Sequence, residues 1–471
     1  MGILSKIASK RSTLTTKNTD VTTAAQLTLR QSLWPLSIVT ILFFLWGLSY
    51  GLLDTLNKHF QNTLNITRTR SSGLQAAYFG AYPLASLGYA NWMLRHWGYK
   101  SVFIFGLCVW PAGVYRSFGG FCGATFICGS GLGSLETAAN PYLSVCGPPR
   151  YSEVRINFAQ AFNAIGTVIG PVLGSFKDTG DSVAALKNVQ WVYLGIAIFV
   201  FILAFIFFIS HIPEVTDADM EFQVQETHVG GTEKPFWKQY RLFHAAFAQF
   251  SYTGAQVAIA SYFINYAVDT RPHTDSALGA KNLAGAQGAF ALGRFSGTFF
   301  MRYVRPRWVF LAYLTGVVIF LAAATGARDN AGIAMLFLTL YFESVCFPSI
   351  VALGIRGLGR HYKRGSGFIV GGVCGGACIP SLLGKVADMH NNTGIAMSVP
   401  LAFMVAAETY AVAVNFVPAY RIPADQIGAS TVGLQSAERT LDIEKSVDAR
   451  TGQGFDGAEI VEVEKLEGRQ R

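Results

Sequence analysis

Five charged side chains interrupt stretches of the sequence that are otherwise apolar: Asp54, Glu136, Arg294, Glu343 and Glu408. A charge at the centre of a membrane costs roughly 2.5–3.5 kcal/mol on insertion scales, and about eight strongly apolar neighbours at roughly 0.5 kcal/mol each offset one such residue. These side chains must therefore face the protein interior, pair with partners or bind a proton. Burial favours the protonated form of a carboxyl group, so Asp54 and Glu136 are candidates for cyclic proton loading and release.

Each of these charges also has a structural interpretation. A carboxyl group that is satisfied by neighbouring donors would only hold helices together, and this alternative stays open for Glu343. We favour it for Glu408, which lies in the last apolar segment without polar companions. Arg294 lies near a basic loop and is expected to be a structural charge partner.

Uncharged polar side chains are spaced to share helix faces in three apolar segments. Gln160 and Asn163 are three residues apart, and Tyr252 and Gln256 are four apart, so each pair lies on one face. Amides can hydrogen-bond to paired hydroxyls while aromatic rings stack on the apolar face of a sugar, although interhelical bonds of about 0.6 kcal/mol each are the alternative. The predicted substrate-binding residues are Glu136, Gln160, Asn163, Gln75, Tyr78, Gln256, Tyr252 and Asn265.

The composition places these residues in a membrane protein. Hydrophobic residues make up 51% of the chain and charged residues 14%, whereas a soluble chain carries about 25% charge. The net charge is +9, and the basic residues are distributed among the loops as membrane topology predicts. No basic stripe alternates with aromatics, so we expect no nucleic-acid partner. The sequence shows no phosphate-binding loop, nucleophile elbow or paired metal ligands, and the seven cysteines lack zinc-ligand spacing. We therefore expect neither an enzyme nor a cofactor.

Twelve segments meet the requirement of about 20 apolar residues for a membrane-spanning helix. The third segment is short and barely spans. The segments are 35–56, 74–94, 101–116, 121–146, 156–176, 190–212, 241–267, 284–303, 308–326, 332–355, 366–386 and 397–418. The fold class is predicted as an all-α membrane protein with two six-helix bundles.

The distribution of basic residues predicts the topology. With a cytoplasmic amino terminus, the loops on that side hold about nineteen lysines and arginines against ten on the other, before the carboxy-terminal tail is counted. Positive charge favours the cytoplasmic side. Both termini of this multi-pass protein are therefore predicted to be cytoplasmic.

The same pattern divides the chain into five parts. A cytoplasmic tail (1–34) precedes the first bundle (35–212), and a cytoplasmic linker (213–240) leads to the second bundle (241–419). Residues 420–471 are polar and charge-rich with few aromatics, which predicts a disordered cytoplasmic tail. We expect a monomer in the lipid bilayer.

The two bundles resemble each other in sequence. Glu136 is followed five residues later by Pro141, and Glu343 is followed five residues later by Pro348. The segment that begins at Arg95 (RHWGYKSVF) aligns at the same offset with the one that begins at Arg302 (RYVRPRWVF). Duplication of a six-helix unit gives parallel repeats, as in major facilitator transporters, whose substrate site lies at mid-depth between the halves.

Five sequence motifs lie in different predicted helices: LETAANP (135–141), NFAQAFNAIG (157–166), AQFSYTGAQ (248–256), GRFSGT (293–298) and FPSI (347–350). Together they resemble the fucose permease family, the fucose–galactose–glucose:proton symporter branch of the major facilitator superfamily. This resemblance implies a sugar substrate, proton symport and a plasma-membrane location. It also implies that Asp54 is the protonation switch, that Glu136 contacts sugar and takes part in coupling, and that Gln160 and Asn163 line the sugar site.

The sequence departs from this family at three places. Tyr50-Gly51-Leu52-Leu53 replaces an asparagine-rich stretch of bacterial members, and Glu343 stands where an uncharged residue is expected. Residues 101–135 also form a shorter stretch than in relatives. These departures leave the identity of the sugar open.

The leading hypothesis is a proton-coupled monosaccharide symporter (L-fucose or hexose-like) that works by alternating access, with Asp54, Glu136 and Glu343 in proton coupling. A sodium-coupled or facilitative sugar transporter is one alternative. The short third segment motivates another, a sugar receptor that does not transport.

Overall fold

The computed structural model consists of helices and turns, without strands, throughout the part of the chain that it describes. That part comprises residues 29–64, 67–109, 118–175, 195, 198–210, 212–216, 220 and 235–428. The predicted all-α fold is confirmed. In the first half the helices are α1 (Leu29–Leu64), α2 (Arg68–Ser71), α3 (Gly73–Gly80), α4 (Ala90–Val109), α5 (Phe118–Val145), α6 (Ser152–Ser175) and α7 (Ile198–Ile209).

The second half has more and shorter helices. They are α8 (Tyr240–Thr270), α9 (Ser276–Tyr303), α10 (Pro306–Gly326), α11 (Asp329–Glu343), α12 (Cys346–Gly354), α13 (Tyr362–Gly371), α14 (Gly375–His390), α15 (Thr393–Ala396), α16 (Ser398–Phe416) and α17 (Pro418–Gly428). Among the described residues, four helical stretches are long and apolar enough to cross a membrane by themselves, namely Pro306–Gly326, Asp329–Gly354, Tyr362–His390 and Thr393–Phe416.

Some predicted segments correspond to more than one helix. The second comprises α3, a π-helical stretch (Leu84–Tyr89) and the start of α4. Within α4 the chain bends at Gly98, whose φ of +79° lies in the left-handed region that glycine adopts without a steric penalty. The rest of α4 belongs to the short third segment, of which residues 110–116 lie outside the described residues.

Glycines allow two helix pairs to pack closely, one in each half. A Cβ atom on Gly166 of α6 would collide with the carbonyl oxygen of Phe44 in α1. In the second half, a Cβ atom on Gly375 of α14 would collide with the carbonyl oxygen of Phe250 in α8. Gly166 and Gly375 are therefore packing residues, as small residues often are between membrane helices.

The repeated Glu and Pro residues sit in different local structures. Helix α5 runs without a break through Glu136 and Pro141, whereas α11 ends at Glu343 and α12 begins at Cys346. Pro348 lacks the N–H that would bond to the Ser344 carbonyl four residues earlier. Arg294 Nε donates to that carbonyl at 2.8 Å instead. A side chain from α9 therefore stabilises the break beside Glu343.

Helix α17 corrects the prediction of a disordered tail from residue 420, because residues 420–428 are helical. Asp425 accepts hydrogen bonds from Arg307 Nε at 3.0 Å and from Arg307 Nη2 at 3.2 Å. This paired contact joins α17 to the start of α10. The tail beyond 428 lies outside the described residues.

Candidate functional site

A small cavity lies between the two halves, midway along the helices. Its volume is about 60 Å³, which is room for a few water molecules and less than a hexose occupies. Helices α1, α3 and α6 of the first half and α8, α9, α11 and α12 of the second contribute to its wall. The lining residues are Trp46, Tyr50, Phe79, Gln160, Asn163, Thr167, Thr253, Gln256, Val257, Ala260, Gln287, Phe290, Arg294, Glu343, Phe347 and Val373.

Arg294 joins the two halves inside this cavity. Its Nη1 atom donates to Gln160 Oε1 at 2.8 Å, to Asn163 Oδ1 at 3.1 Å and to the Gln160 carbonyl oxygen. The guanidinium also lies 4.6 Å from the ring centroid of Phe290, and Glu343 is one of its electrostatic neighbours. The expectation of a structural charge partner is therefore incomplete, because Arg294 also lines the candidate site.

Glu136 lies one layer behind the cavity. It is 1% exposed, and its Oε1 accepts a hydrogen bond from Asn140 Nδ2 at 3.0 Å. Asn140 Oδ1 accepts in turn from Gln160 Nε2 at 3.4 Å. Glu136 Oε2 has no hydrogen-bond partner among the described residues, although the phenol of Tyr82 is close enough to interact with the carboxylate. Glu136 is thus connected to the cavity through two amides.

The structure places four of the predicted coupling and binding residues on the cavity wall: Gln160, Asn163, Gln256 and Glu343. The side chain of Asp54, in the second half of α1, lies outside the described residues. The remaining predicted residues, Glu136, Gln75, Tyr78, Tyr252 and Asn265, are buried but do not line the cavity.

The buried residues behind the wall have other contacts. Gln75 Nε2 donates to Ser261 Oγ at 3.1 Å, which is a bond between the halves. The Tyr252 hydroxyl donates to the Glu343 carbonyl oxygen at 2.6 Å and so supports the break after α11. Tyr78 packs its ring against Phe79 and Tyr82.

Sequence reasoning missed part of the wall. Gln287, Phe290 and Arg294 all line the cavity from α9, and their positions i, i+3 and i+7 place them on one helix face. Trp46 of α1 and Phe347 of α12 also meet there, with ring centroids 6.3 Å apart in an edge-on arrangement. The α9 spacing could have been found in the sequence, whereas the aromatic pair depends on how the halves meet.

Contacts between the halves also close the bundle at the end where α1 begins and α16 ends, which we call the basic end. The carboxylate of Glu153 forms an ion pair with Arg356, and the Tyr362 hydroxyl donates to the Pro141 carbonyl oxygen at 2.6 Å. Lys363 Nζ lies 3.2 Å from Glu214 Oε1, which belongs to the chain segment after α7.

The opposite end, called the distal end, is bridged as well. Asp388 Oδ2 on α14 accepts from the backbone nitrogen of Thr69 at 3.1 Å and from its hydroxyl at 2.6 Å. The hydroxyl oxygens of Ser72 and Ser381 are 2.9 Å apart. In the part of the chain that the structure describes, contacts between the halves therefore bridge both ends of the bundle.

Comparison with known proteins agrees with this architecture. Residues 39–381 match the model of the Major Facilitator Superfamily. The chain is 32% identical over 395 residues to a glucose/galactose transporter of Brucella abortus biovar 1 (strain 9-941), covering 80% of this chain and 91% of the relative. It is 30% identical over 402 residues to an L-fucose-proton symporter of Escherichia coli (strain K12), covering 79% of this chain and 91% of the relative.

A solved structure shows the same fold. The crystal structure of the transporter FucP in the outward conformation superimposes with a TM-score of 0.65 at 28% sequence identity. The match covers 81% of this chain and 98% of FucP. The repeat, the central cavity and these similarities lead to one conclusion: the chain belongs to the major facilitator superfamily, in its fucose permease-like branch.

Proposed function

We propose that this protein carries a monosaccharide together with a proton across the membrane by alternating access. The observation that carries the proposal is the hydrogen-bonded chain from Glu136 through Asn140 and Gln160 to Arg294, which links a buried acid to a polar cavity between the halves. The names of the relatives, glucose/galactose transporter and L-fucose-proton symporter, favour a hexose or deoxyhexose as the substrate.

The cavity wall suits a sugar. The amides of Gln160, Asn163, Gln256 and Gln287 can donate to and accept from hydroxyls, and the ring of Trp46 lies beside them. Because the volume of the cavity is only about 60 Å³, the sugar enters only when one end of the bundle opens and the wall residues separate. Sugar hydroxyls then take the place of contacts such as the one between Arg294 and Gln160.

Through the chain of amides, protonation of Glu136 can change the hydrogen bonds at the sugar site. An ionised Glu136 accepts from the amide nitrogen of Asn140, which turns the Asn140 oxygen toward Gln160 Nε2. Gln160 then presents its own oxygen to Arg294. Protonation of Glu136 supplies a donor where an acceptor stood, so it alters this order of donors and acceptors.

We assign the protonation switch to Asp54, as the family resemblance implies, and a part in coupling to Glu136. Glu343 is the next candidate because it lines the cavity near Arg294. Its position in the second half places acidic groups on both sides of the site.

Uptake into proteoliposomes tests the proposal. Labelled L-fucose, D-galactose and D-glucose are offered with and without an inward proton gradient, and we expect gradient-dependent accumulation of at least one of them. Replacement of sodium by choline at fixed pH distinguishes sodium coupling from proton coupling. Uptake that is insensitive to a protonophore would indicate facilitated diffusion, and binding without counterflow would indicate a receptor. Absence of gradient-dependent uptake for every hexose and deoxyhexose refutes proton-coupled sugar symport.

We also propose that the protein is a monomer in the plasma membrane with both termini in the cytoplasm. The excess of lysine and arginine at the basic end supports a cytoplasmic position for that end. Protease cleavage of a tag on either terminus, in sealed right-side-out vesicles, tests the orientation. Cleavage without permeabilisation contradicts it.

A further inference from the structure

A second and larger cavity lies at the basic end of the bundle. Its volume is about 320 Å³, at the lower limit of the range of about 300–1,000 Å³ for small-molecule sites. Both halves and α17 form its wall. It shares no lining residue with the central cavity and is therefore separate from it. Its residues are Arg150, Tyr151, Glu153, Val154, Met301, Arg302, Tyr303, Val304, Arg305, Pro306, Arg307, Leu353, Arg356, Ala424 and Asp425.

The charge of this cavity is strongly positive. Five arginines line it against two carboxylates, those of Glu153 and Asp425, which leaves a net charge of +3. Arg302 and Arg305 are exposed to solvent, whereas Arg307 is buried. Like charges this close repel one another, so the arrangement favours binding of a further anion.

The existing contacts show what kind of anion fits. Arg307 holds the two carboxylate oxygens of Asp425 through Nε and Nη2, at 3.0 and 3.2 Å. Arginine binds carboxylate and phosphate in this forked geometry. The buried Nε of Arg356 has no hydrogen-bond partner among the described residues. The cavity therefore has donor capacity that Glu153 and Asp425 do not use.

We propose that this basic-end cavity is a binding site for a phosphate group, carried either by a phosphoinositide headgroup or by a free phosphate compound. Arg150, Arg302, Arg305 and Arg356 are the principal ligands, and Asp425, which forms ion pairs with Arg305 and Arg307, competes with the anion. Because Arg150 and Glu153 belong to the first half and the other arginines to the second, a bound anion stabilises the conformation in which the basic end is closed.

Thermal unfolding of the purified full-length protein tests the site, with two arms for the two sources. One arm titrates inorganic phosphate against chloride at constant ionic strength. The other compares nanodiscs that contain phosphatidylinositol 4-phosphate with nanodiscs that contain phosphatidylserine at the same total charge. We expect the phosphate group to raise the unfolding temperature by about 2–4 °C in at least one arm. The arm that responds identifies the source.

Variants distinguish binding at this specific site from a general effect of positive surface charge. The double variant Arg302→Ala/Arg305→Ala should lose the phosphate-dependent shift, and its exposed positions should leave folding intact. The matched control Arg70→Ala/Lys281→Ala removes two exposed positive charges at the distal end and should keep the shift. Asp425→Asn should enlarge the shift, because it removes the competing carboxylate, whereas a purely structural role would only lower the starting stability. No shift in either arm, or an equal shift in both double variants, overturns the proposal.

Discussion

Arg294 of α9 donates a hydrogen bond to Oε1 of Gln160 in α6 at a distance of 2.8 Å, inside a cavity whose wall comes from both halves. Hydrogen bonds to charged groups contribute about 1.5–3 kcal/mol each, so this contact holds the two halves together at the cavity. A ligand that separates the halves must replace the contact. We therefore expect the site to favour a polyhydroxylated ligand over an apolar one of the same size.

Replacement of Arg294 by lysine tests this relationship. The lysine side chain would keep the positive charge but lose the planar fork that contacts Gln160, Asn163 and the Ser344 carbonyl. Loss of charged hydrogen bonds of about 1.5–3 kcal/mol should reduce sugar counterflow in proteoliposomes roughly 10- to 100-fold. Arg421→Lys, at an exposed arginine on α17, is the matched control and should behave as the wild type. Unchanged counterflow in Arg294→Lys would mean that the contact between the halves has no part in the cycle.

The spacing of residues predicted helix faces correctly but could not decide which faces meet the cavity. Gln160 and Asn163 share a face because side-chain direction in a helix is a local property. Glu136 and Glu343 occupy equivalent positions in the repeat, yet Glu343 lines the cavity and Glu136 lies behind it. The local backbone differs as well, because the helix breaks after Glu343 but continues past Glu136, and a donor from α9 bonds to the backbone at that break.

Long-range contacts explain the other differences. The composition of the carboxy-terminal segment is typical of disorder, but α17 is held by a contact between Asp425 and Arg307, 118 residues apart in the chain. A basic loop near Arg294 in the sequence predicts a structural charge partner. In space, Arg294 contacts Gln160 and Asn163 of the other half as well as Ser344 of its own half, and these contacts place it in the candidate site.

Asp54→Asn should separate accumulation from exchange. Asparagine cannot load and release a proton, so gradient-driven uptake should disappear, whereas sugar exchange needs no proton release and should continue. Uptake with and without an inward proton gradient, measured beside counterflow in the same proteoliposomes, distinguishes the two. If the variant still accumulates sugar, the proton role belongs elsewhere, and Glu343→Gln is then the variant to measure next.

Glu136→Ala should weaken sugar binding although the carboxylate does not line the cavity. The change removes the acceptor that orients Asn140, and with it the hydrogen bond that Gln160 Nε2 donates to Asn140 Oδ1. Each neutral hydrogen bond contributes about 0.5–1.5 kcal/mol, so Asn140→Ala should reproduce part of the effect, with a loss of affinity of roughly 2- to 12-fold.

The dissociation constant, followed by tryptophan fluorescence of the purified protein, measures this loss. Thr137→Ala is the control because Thr137 is buried in the same helix and, within the described part of the chain, its hydroxyl donates to the carbonyl of Gly133, one turn away. Wild-type affinity in both Glu136→Ala and Asn140→Ala would refute the relay through Gln160.

A disulfide across the distal end should stop transport reversibly. The hydroxyl oxygens of Ser72 and Ser381 are 2.9 Å apart and belong to opposite halves, so cysteines at both positions come within reach of an S–S bond of about 2.05 Å. Alternating access requires these residues to separate. Oxidised Ser72→Cys/Ser381→Cys should therefore lose sugar uptake, and a reductant should restore it.

Each single variant, treated with the same oxidant, controls for oxidation of the native cysteines and should transport as the wild type. Mass spectrometry of the linked peptides measures how much of the protein carries the bond. Wild-type uptake by fully linked protein would mean that the distal end does not open during the cycle, and sugar would then have to enter and leave through the basic end alone.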